Sequence, residues 1–414
     1  MSREEIVVLT GEDDPGMTPS PLAFGGRHPN PRNKRAAAVI GVGHTDWVRD
    51  WQRCRAGEQP NDSLGYGLEA FRNALKDANI NRDEIDGLIA GPTTAYERMG
   101  ELAGINPRWG NQADAVLAVS QAVMAIEAGY AEVVALIYGN DQRSVGTQYG
   151  GPAAMGGNSF LSYVYHSPWG FTSQGALYAL TLQSYKHSRG FTEREMGEVS
   201  VAQRGWSSLN PNAIQRKRIS IEDYLASHYV CQPLHLFDYC LINDGGVALI
   251  IAEAERTKKL SSRPVFIEGI GRSDLNRGAT SMEPRIDEFY LPAQQAAAAQ
   301  SYALSGLGPQ DMDVLQVYDS FSVHVPLALE GYGYAKVGEA GKFLRESGIG
   351  PGGKLPTNTS GGHLSETYMQ GWAHQVECVR QLRGECGDRQ VKDARHVHYT
   401  SDVAGHCFSV IYGV

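Results

Sequence analysis

The chain has 414 residues, 42% of them hydrophobic and 20% charged, with 37 basic against 46 acidic side chains for a net charge of −9. That is enough apolar material for a large core. The acidic balance argues against a nucleic-acid partner, which needs Lys and Arg to displace counterions. No apolar run approaches the roughly 20 residues that span a bilayer, and no basic-then-apolar leader opens the sequence, so no membrane association and a cytoplasmic location are the expectation.

The six cysteines (Cys54, Cys231, Cys240, Cys378, Cys386 and Cys407) are scattered without a C-x-x-C pair, which speaks against a disulfide framework or a zinc ribbon. Residues 1–32 are polar and rich in Gly and Pro, and read as a flexible arm. The apolar run Ala36–Ile40, closed by Gly41 and Gly43, reads as a buried first strand. Leu64, Leu68, Phe71 and Leu75 recur at helical spacing and predict a helix over 63–78. A strand follows at Glu84-Ile-Asp-Gly-Leu-Ile, then a helix over about 114–128, then a strand at Glu132-Val-Val-Ala-Leu-Ile. This alternation favours an α/β fold.

The pattern repeats. A helix over about 292–306 is followed by Asp311-Met-Asp-Val-Leu-Gln, 227 residues after the first such strand, and a further helix and strand lie within 364–400. Two like halves are expected, 33–264 and 265–414. The first carries a glycine- and proline-rich insertion over about 140–245 that reads as a loop domain with a helix near 174–188.

Several motifs then occur in a familiar order. Asn210-Pro-Asn-Ala, Asp223-Tyr-Leu, Gln232-Pro-Leu and Asn243-Asp-Gly-Gly come first. Tyr318-Asp-Ser-Phe-Ser, Leu355-Pro-Thr-Asn-Thr-Ser-Gly-Gly and Gln381-Leu-Arg-Gly follow. From about residue 36 to 414 the chain resembles the sterol-carrier-protein-like branch of the thiolase superfamily. The resemblance implies a thiolase fold, two similar α/β halves in five layers (αβαβα).

It also exposes departures. The thiolase nucleophile is a cysteine at the start of a helix; the matching position falls at or near Gln112, and no cysteine lies within fifty residues of it. The family's two active-site histidines are matched by Tyr318 and Tyr368, and an asparagine by His324. The chain thereby resembles the lipid-transfer-protein-like retro-aldolases of steroid side chains, in which paired tyrosines serve as acid and base. The resemblance implies cleavage of a β-hydroxyacyl-CoA into a ketone and a short acyl-CoA such as propionyl-CoA, with no cofactor beyond the substrate's CoA. Tyr318, Tyr368 and His406 are the expected catalytic residues; His324, Gln112, Asp238, Tyr239 and His363 are expected around the substrate. Asp402 lies with His406 on a C-terminal loop that reaches the cavity in this fold. A homodimer core with a small OB-fold partner, itself tied to a hydratase, is the expected assembly.

Other chemistries were open at this point. An acyltransferase with a displaced nucleophile such as Cys407 is one alternative, and a non-catalytic scaffold subunit is another. A Schiff-base aldolase needs a desolvated lysine, but the lysines lie in polar contexts. His396 and His398 share a strand face without an evident third ligand, so no metal is expected. Gly269-Ile-Gly is too short for a dinucleotide fingerprint.

Overall fold

A computed structural model describes residues 35–59, 61–92, 94–147, 169, 171, 173–261, 263–274, 288–403 and 406–414. The expected N-terminal arm lies outside them. The strands in chain order are β1 (Ala37–His44), β2 (Gly87–Ala90), β3 (Trp109–Gln112), β4 (Val133–Asn140), β5 (Tyr229–Cys231), β6 (Leu234–His235), β7 (Gly245–Glu253), β8 (Val265–Asp274), β9 (Val314–Val317), β10 (His396–Ser401) and β11 (His406–Gly413).

Nine strands join in the order β3-β2-β4-β7-β1-β8-β11-β10-β9. The order is a pseudo-twofold about the central β1–β8 pair, where Ala38 faces Phe266 and Val39 faces Val265. On each side the next two pairings are antiparallel and the one after is parallel. The parallel bridge from Leu315 to Thr357 stands where β3 pairs in the first half. β2 and β9 are the two strands whose sequences echo each other.

The helix Ser63–Ala78 covers the outer face of one half-sheet and Leu291–Ser305 that of the other. Two further helices, Ala115–Glu127 and Trp372–Arg383, contribute to one core cluster with strands of both halves. The Gln375 amide donates to the Ala115 carbonyl at 3.1 Å, tying these inner helices together. The result is helix, half-sheet, helix pair, half-sheet, helix, with the two half-sheets continuous through the β1–β8 pair.

The outer helices sit close because strand glycines let them. A Cβ on Gly43 would lie 2.3 Å from the Ala70 carbonyl oxygen, and one on Gly271 would lie 1.8 Å from that of Ala297. The Gly269-Ile-Gly motif is therefore a packing device, twin to Gly41-Val-Gly.

The insertion is more regular than its composition predicts. Besides the expected helix, found at Gln174–Arg189, it holds a second, Glu193–Ser208, started by a capping box between Thr192 and Glu195. Gly197 and Gly205 within that helix obscured it. Among the described residues no helix is long and apolar enough to cross a membrane.

Candidate active site

The site forms at the C-terminal ends of β9 and β10. Tyr318 continues β9, its N–H donating to the Thr400 carbonyl at 2.8 Å. Asn358 secures the edge beside it: its side chain accepts from Val317 N–H at 2.7 Å and donates to the Val317 carbonyl at 3.0 Å, as a strand neighbour would. From there the chain turns through Gly361 and Gly362, both with positive φ. A Cβ on Gly362 would lie 2.4 Å from Asp319 Oδ2, so this turn admits only glycine.

The turn delivers Tyr368. Its hydroxyl lies 3.2 Å from that of Tyr318, and both side chains are buried. Burial, with each tyrosine near other acidic hydroxyl or thiol groups, raises both phenols above their ordinary value. The two hydroxyls are thus held protonated and suited to donate.

The other motifs converge on the same segment. Asn243 accepts from the Tyr368 N–H at 2.7 Å and donates to Thr367 Oγ1 at 2.8 Å. Asn210 donates to the Ser360 carbonyl at 3.0 Å and to Glu366 Oε1 at 2.9 Å. Asn140 donates to the Asn243 carbonyl at 3.1 Å.

His363 packs against both tyrosines, with ring centroids 4.7 Å from Tyr318 and 4.9 Å from Tyr368. Burial and the neighbouring His374 and His324 hold its pKa well below the ordinary imidazole value. Its Nε2 accepts from the Gly371 N–H at 2.9 Å, which leaves the ring proton on Nδ1, 3.4 Å from Asp319 Oδ1. His374 Nε2 lies 2.8 Å from that same oxygen. Asp319, His363 and His374 are close enough to hold an ion, but this tautomer offers Asp319 an N–H where a metal needs a lone pair. The trio is better suited to bracing the tyrosine pair from beneath.

His324 flanks Tyr318 from the other side, with ring centroids 6.2 Å apart. Its Nδ1 bonds Asp402 Oδ1 and its Nε2 lies 3.0 Å from Ser320 Oγ. Asp402 Oδ2 accepts from Gln294 at 3.0 Å.

The remaining expected residues are placed differently. Asp238 is enclosed, accepting from Tyr224 OH at 2.8 Å, the His235 N–H at 2.7 Å and the Ser322 hydroxyl. Burial pushes its carboxyl up to about 6. It serves to fasten the insertion to the site strand. Tyr239 lines a cavity of about 530 Å³ with Arg204, Lys217, Cys240 and Leu364. Gln112 ends β3 with its amide donating to the Thr94 carbonyl at 2.7 Å. His406 begins β11 with Nδ1 2.8 Å from Asp274 Oδ1, and no described contact joins it to the tyrosines.

The displaced-nucleophile alternative finds little support. Cys407 is fully buried and burial raises its thiol well above the ordinary value; the Cys240 thiol is pushed up to about 12, chiefly by burial. His398, a metal candidate by spacing, uses both ring nitrogens within the protein, on Tyr334 OH at 2.7 Å and Ser409 Oγ at 2.6 Å.

The sequence reading passed over Ser320, Asp319, His374 and Cys240. Cys240 is the residue common to the cavity lining and the surroundings of both tyrosines.

Comparison with known proteins identifies the family. The family described as "Thiolase C-terminal domain-like" matches residues 280–413. The 17-hydroxy-3-oxo-4-pregnene-20-carboxyl-CoA lyase of Mycobacterium tuberculosis is 33% identical over 369 residues, covering 84% of this chain and 92% of the relative. The chain belongs to the thiolase superfamily. Within this superfamily, a steroid side-chain-cleaving aldolase of Thermomonospora curvata is 31% identical over 84% of this chain and 90% of its own length. A solved structure named Ltp2-ChsH2(DUF35) aldolase superposes with a TM-score of 0.82 at 28% identity, covering 92% of this chain and 98% of that one. On these likenesses the chain is an enzyme of thiolase fold, a carbon–carbon lyase of the aldolase kind.

Proposed function

We propose that the enzyme is a retro-aldolase that cleaves a 3-hydroxyacyl-CoA carrying a bulky polycyclic side, a steroid side-chain thioester, into a ketone and a short acyl-CoA such as propionyl-CoA. The observation that carries this reading is the buried Tyr318–Tyr368 hydroxyl pair, 3.2 Å apart, in a chain whose resemblance to thiolases sets the nucleophile position at or near Gln112, where no cysteine stands. The names of the two relatives, a pregnene-carboxyl-CoA lyase and a steroid side-chain aldolase, support the substrate class.

In this reading the substrate's 3-hydroxyl loses its proton and the C2–C3 bond breaks. The bonding pair moves into the thioester as an enolate, and C3 becomes the ketone. A protonated tyrosine gives its proton to C2, and buried N–H and O–H donors offset the charge on the enolate oxygen. No acyl-enzyme forms, so a glutamine at position 112 is no obstacle. The cavity that Cys240 helps to line has the size of a ligand site, and Arg204 and Lys217 on its wall suit the phosphates of CoA.

For assembly we read a homodimer through β3, an edge strand of the sheet among the described residues, joined by a small OB-fold partner tied to a hydratase. The DUF35 component in the name of the similar aldolase supports a partner of this kind. The test is a panel of 3-hydroxyacyl-CoAs. Equal yields of ketone and shortened acyl-CoA, without uptake of free CoA, are expected; a strict requirement for free CoA would identify thiolysis instead.

A further inference from the structure

The retro-aldol cut needs a group that accepts the 3-hydroxyl proton, and two phenols held protonated by burial leave that role open. We propose that Ser320, His324 and Asp402 form the proton relay that accepts it. The inference rests on the retro-aldolase reading above.

The three groups stand in line. Asp402 Oδ1 bonds His324 Nδ1, and His324 Nε2 lies 3.0 Å from Ser320 Oγ. An aspartate on Nδ1 keeps that nitrogen protonated, so Nε2 presents a lone pair to the serine hydroxyl. The far end is anchored as well: Asp402 Oδ2 accepts from Gln294 at 3.0 Å, fixing the carboxylate plane. His324 is fully buried, whereas Ser320 retains 5% exposure. The serine is therefore the member able to meet a substrate, and the histidine acts through it as a positioning residue.

Ser320 also occupies the right place. It lies two residues after Tyr318 on the same extended segment, and its carbonyl accepts from the N–H of Cys240, a cavity-lining residue, at 3.1 Å. The relay thus sits between the cavity wall and the tyrosine pair. Around His324 the polar and titratable neighbours are Asp402 on the loop after β10, Tyr318 and Ser320 on its own segment, Tyr178 from helix Gln174–Arg189 at a ring distance of 4.5 Å, and His363 beyond Tyr318. Tyr332 and Cys407 face Asp402. Among these, only Asp402 is a carboxylate, and it directly opposes the charge an imidazolium would carry.

The proton count closes. The substrate hydroxyl gives its proton to Ser320 Oγ as the serine proton passes to His324 Nε2, making an imidazolium paired with Asp402. The C2–C3 electron pair becomes the enolate, and a tyrosine protonates C2. The resulting phenolate recovers the proton stored on His324 through Ser320, and the 3.2 Å contact lets either tyrosine be the one restored.

The experiment measures ketone release against pH for the native enzyme, His324→Gln and Ser320→Ala, with thermal unfolding of each. Native activity should fall on the acid side of its pH profile. H324Q should lose roughly two to four decades in kcat/KM together with that acid limb, and S320A should lose tenfold or more, with its unfolding temperature near native. S320A guards against a folding defect in H324Q, because it removes one hydroxyl only. Either variant within threefold of native, or an H324Q enzyme that is slower with its acid limb intact, overturns the relay and leaves the retro-aldolase standing. Release of free CoA that disappears in S320A would mean that the serine attacks the thioester, and also overturns it. A native enzyme that yields no ketone from any 3-hydroxyacyl-CoA removes the functional reading itself, and the relay with it.

Discussion

Asn243 holds Tyr368 from the opposite half of the molecule: its Oδ1 accepts the tyrosine backbone N–H at 2.7 Å while its Nδ2 donates to Thr367 Oγ1 at 2.8 Å. The segment that carries Tyr368 is thereby fixed by a residue 125 positions away in sequence. Asn243→Ala leaves a buried N–H and a buried hydroxyl unpaired, at about 1–3 kcal/mol. A loss of stability of that size and a more than tenfold lower kcat are expected, read by denaturant titration and ketone release. An unchanged kcat would show that the tyrosine holds its place without this clamp.

Tyr318→Phe and Tyr368→Phe should each lower turnover by roughly two to four decades with little change in stability, since each substitution removes one hydroxyl and keeps the buried ring. Cys407→Ser, buried within β11, should keep most of the activity. Near-native rates in both phenylalanine variants would end the assignment of the pair, and complete loss in the serine variant would restore the cysteine route.

Glu366 predicts a pH effect on stability. Burial, reinforced by Glu377, pushes its carboxyl from 4.5 up to about 7. A carboxyl with a higher pKa folded than unfolded binds more protons in the folded chain between those two values, so its contribution to stability falls as pH rises from 4.5 to about 7 and is constant above. The gap corresponds to a cost on the order of 3 kcal/mol at pH 8. Glu366→Gln keeps an oxygen for the Asn210 amide and removes the buried charge, so it should raise stability at pH 8 and leave it unchanged near pH 4. Urea titrations at the two pH values check this; equal shifts at both would show that the effect is not ionisation.

Much of this architecture was legible from residue order. The helix over 63–78 and the strand pair read at Glu84-Ile-Asp-Gly-Leu-Ile and Asp311-Met-Asp-Val-Leu-Gln, found as Gly87–Ala90 and Val314–Val317, follow from apolar spacing, which a buried α/β layer imposes directly. The tyrosine pair was reachable because two separate motifs each placed a tyrosine where a histidine is usual. The clamps were less legible. Asp238 looked like a group facing substrate and is an internal fastener, because whether a carboxylate faces a cavity or three donors depends on the folded insertion. Ser320 is a local neighbour of His324, but Asp402 meets it only through the β9–β10 neighbourhood, 78 positions away in the chain, and no local pattern marks that contact.

The last prediction concerns the glycines that the sequence offered as strand ends and as an incomplete nucleotide motif. Gly43 and Gly271 occupy equivalent positions in β1 and β8, the strands that meet at the pseudo-twofold. Each faces the backbone of its outer helix: an added Cβ would sit 2.3 Å from the Ala70 carbonyl oxygen at Gly43 and 1.8 Å from the Ala297 carbonyl oxygen at Gly271. Backbone cannot rotate away as a side chain can, so the helix must lift from the sheet, and overpacking of this kind costs about 1–3 kcal/mol or more. Gly43→Ala and Gly271→Ala should each destabilise by at least that much, with Gly271→Ala the worse. Gly271→Ala should also slow catalysis, because helix Leu291–Ser305 carries Gln294, which holds Asp402 at 3.0 Å. Gly43→Ala lies over the helix Ser63–Ala78 and should leave kcat of the folded fraction near native. Equal kcat losses in the two variants would mean that the outer helices act on the site only through global stability.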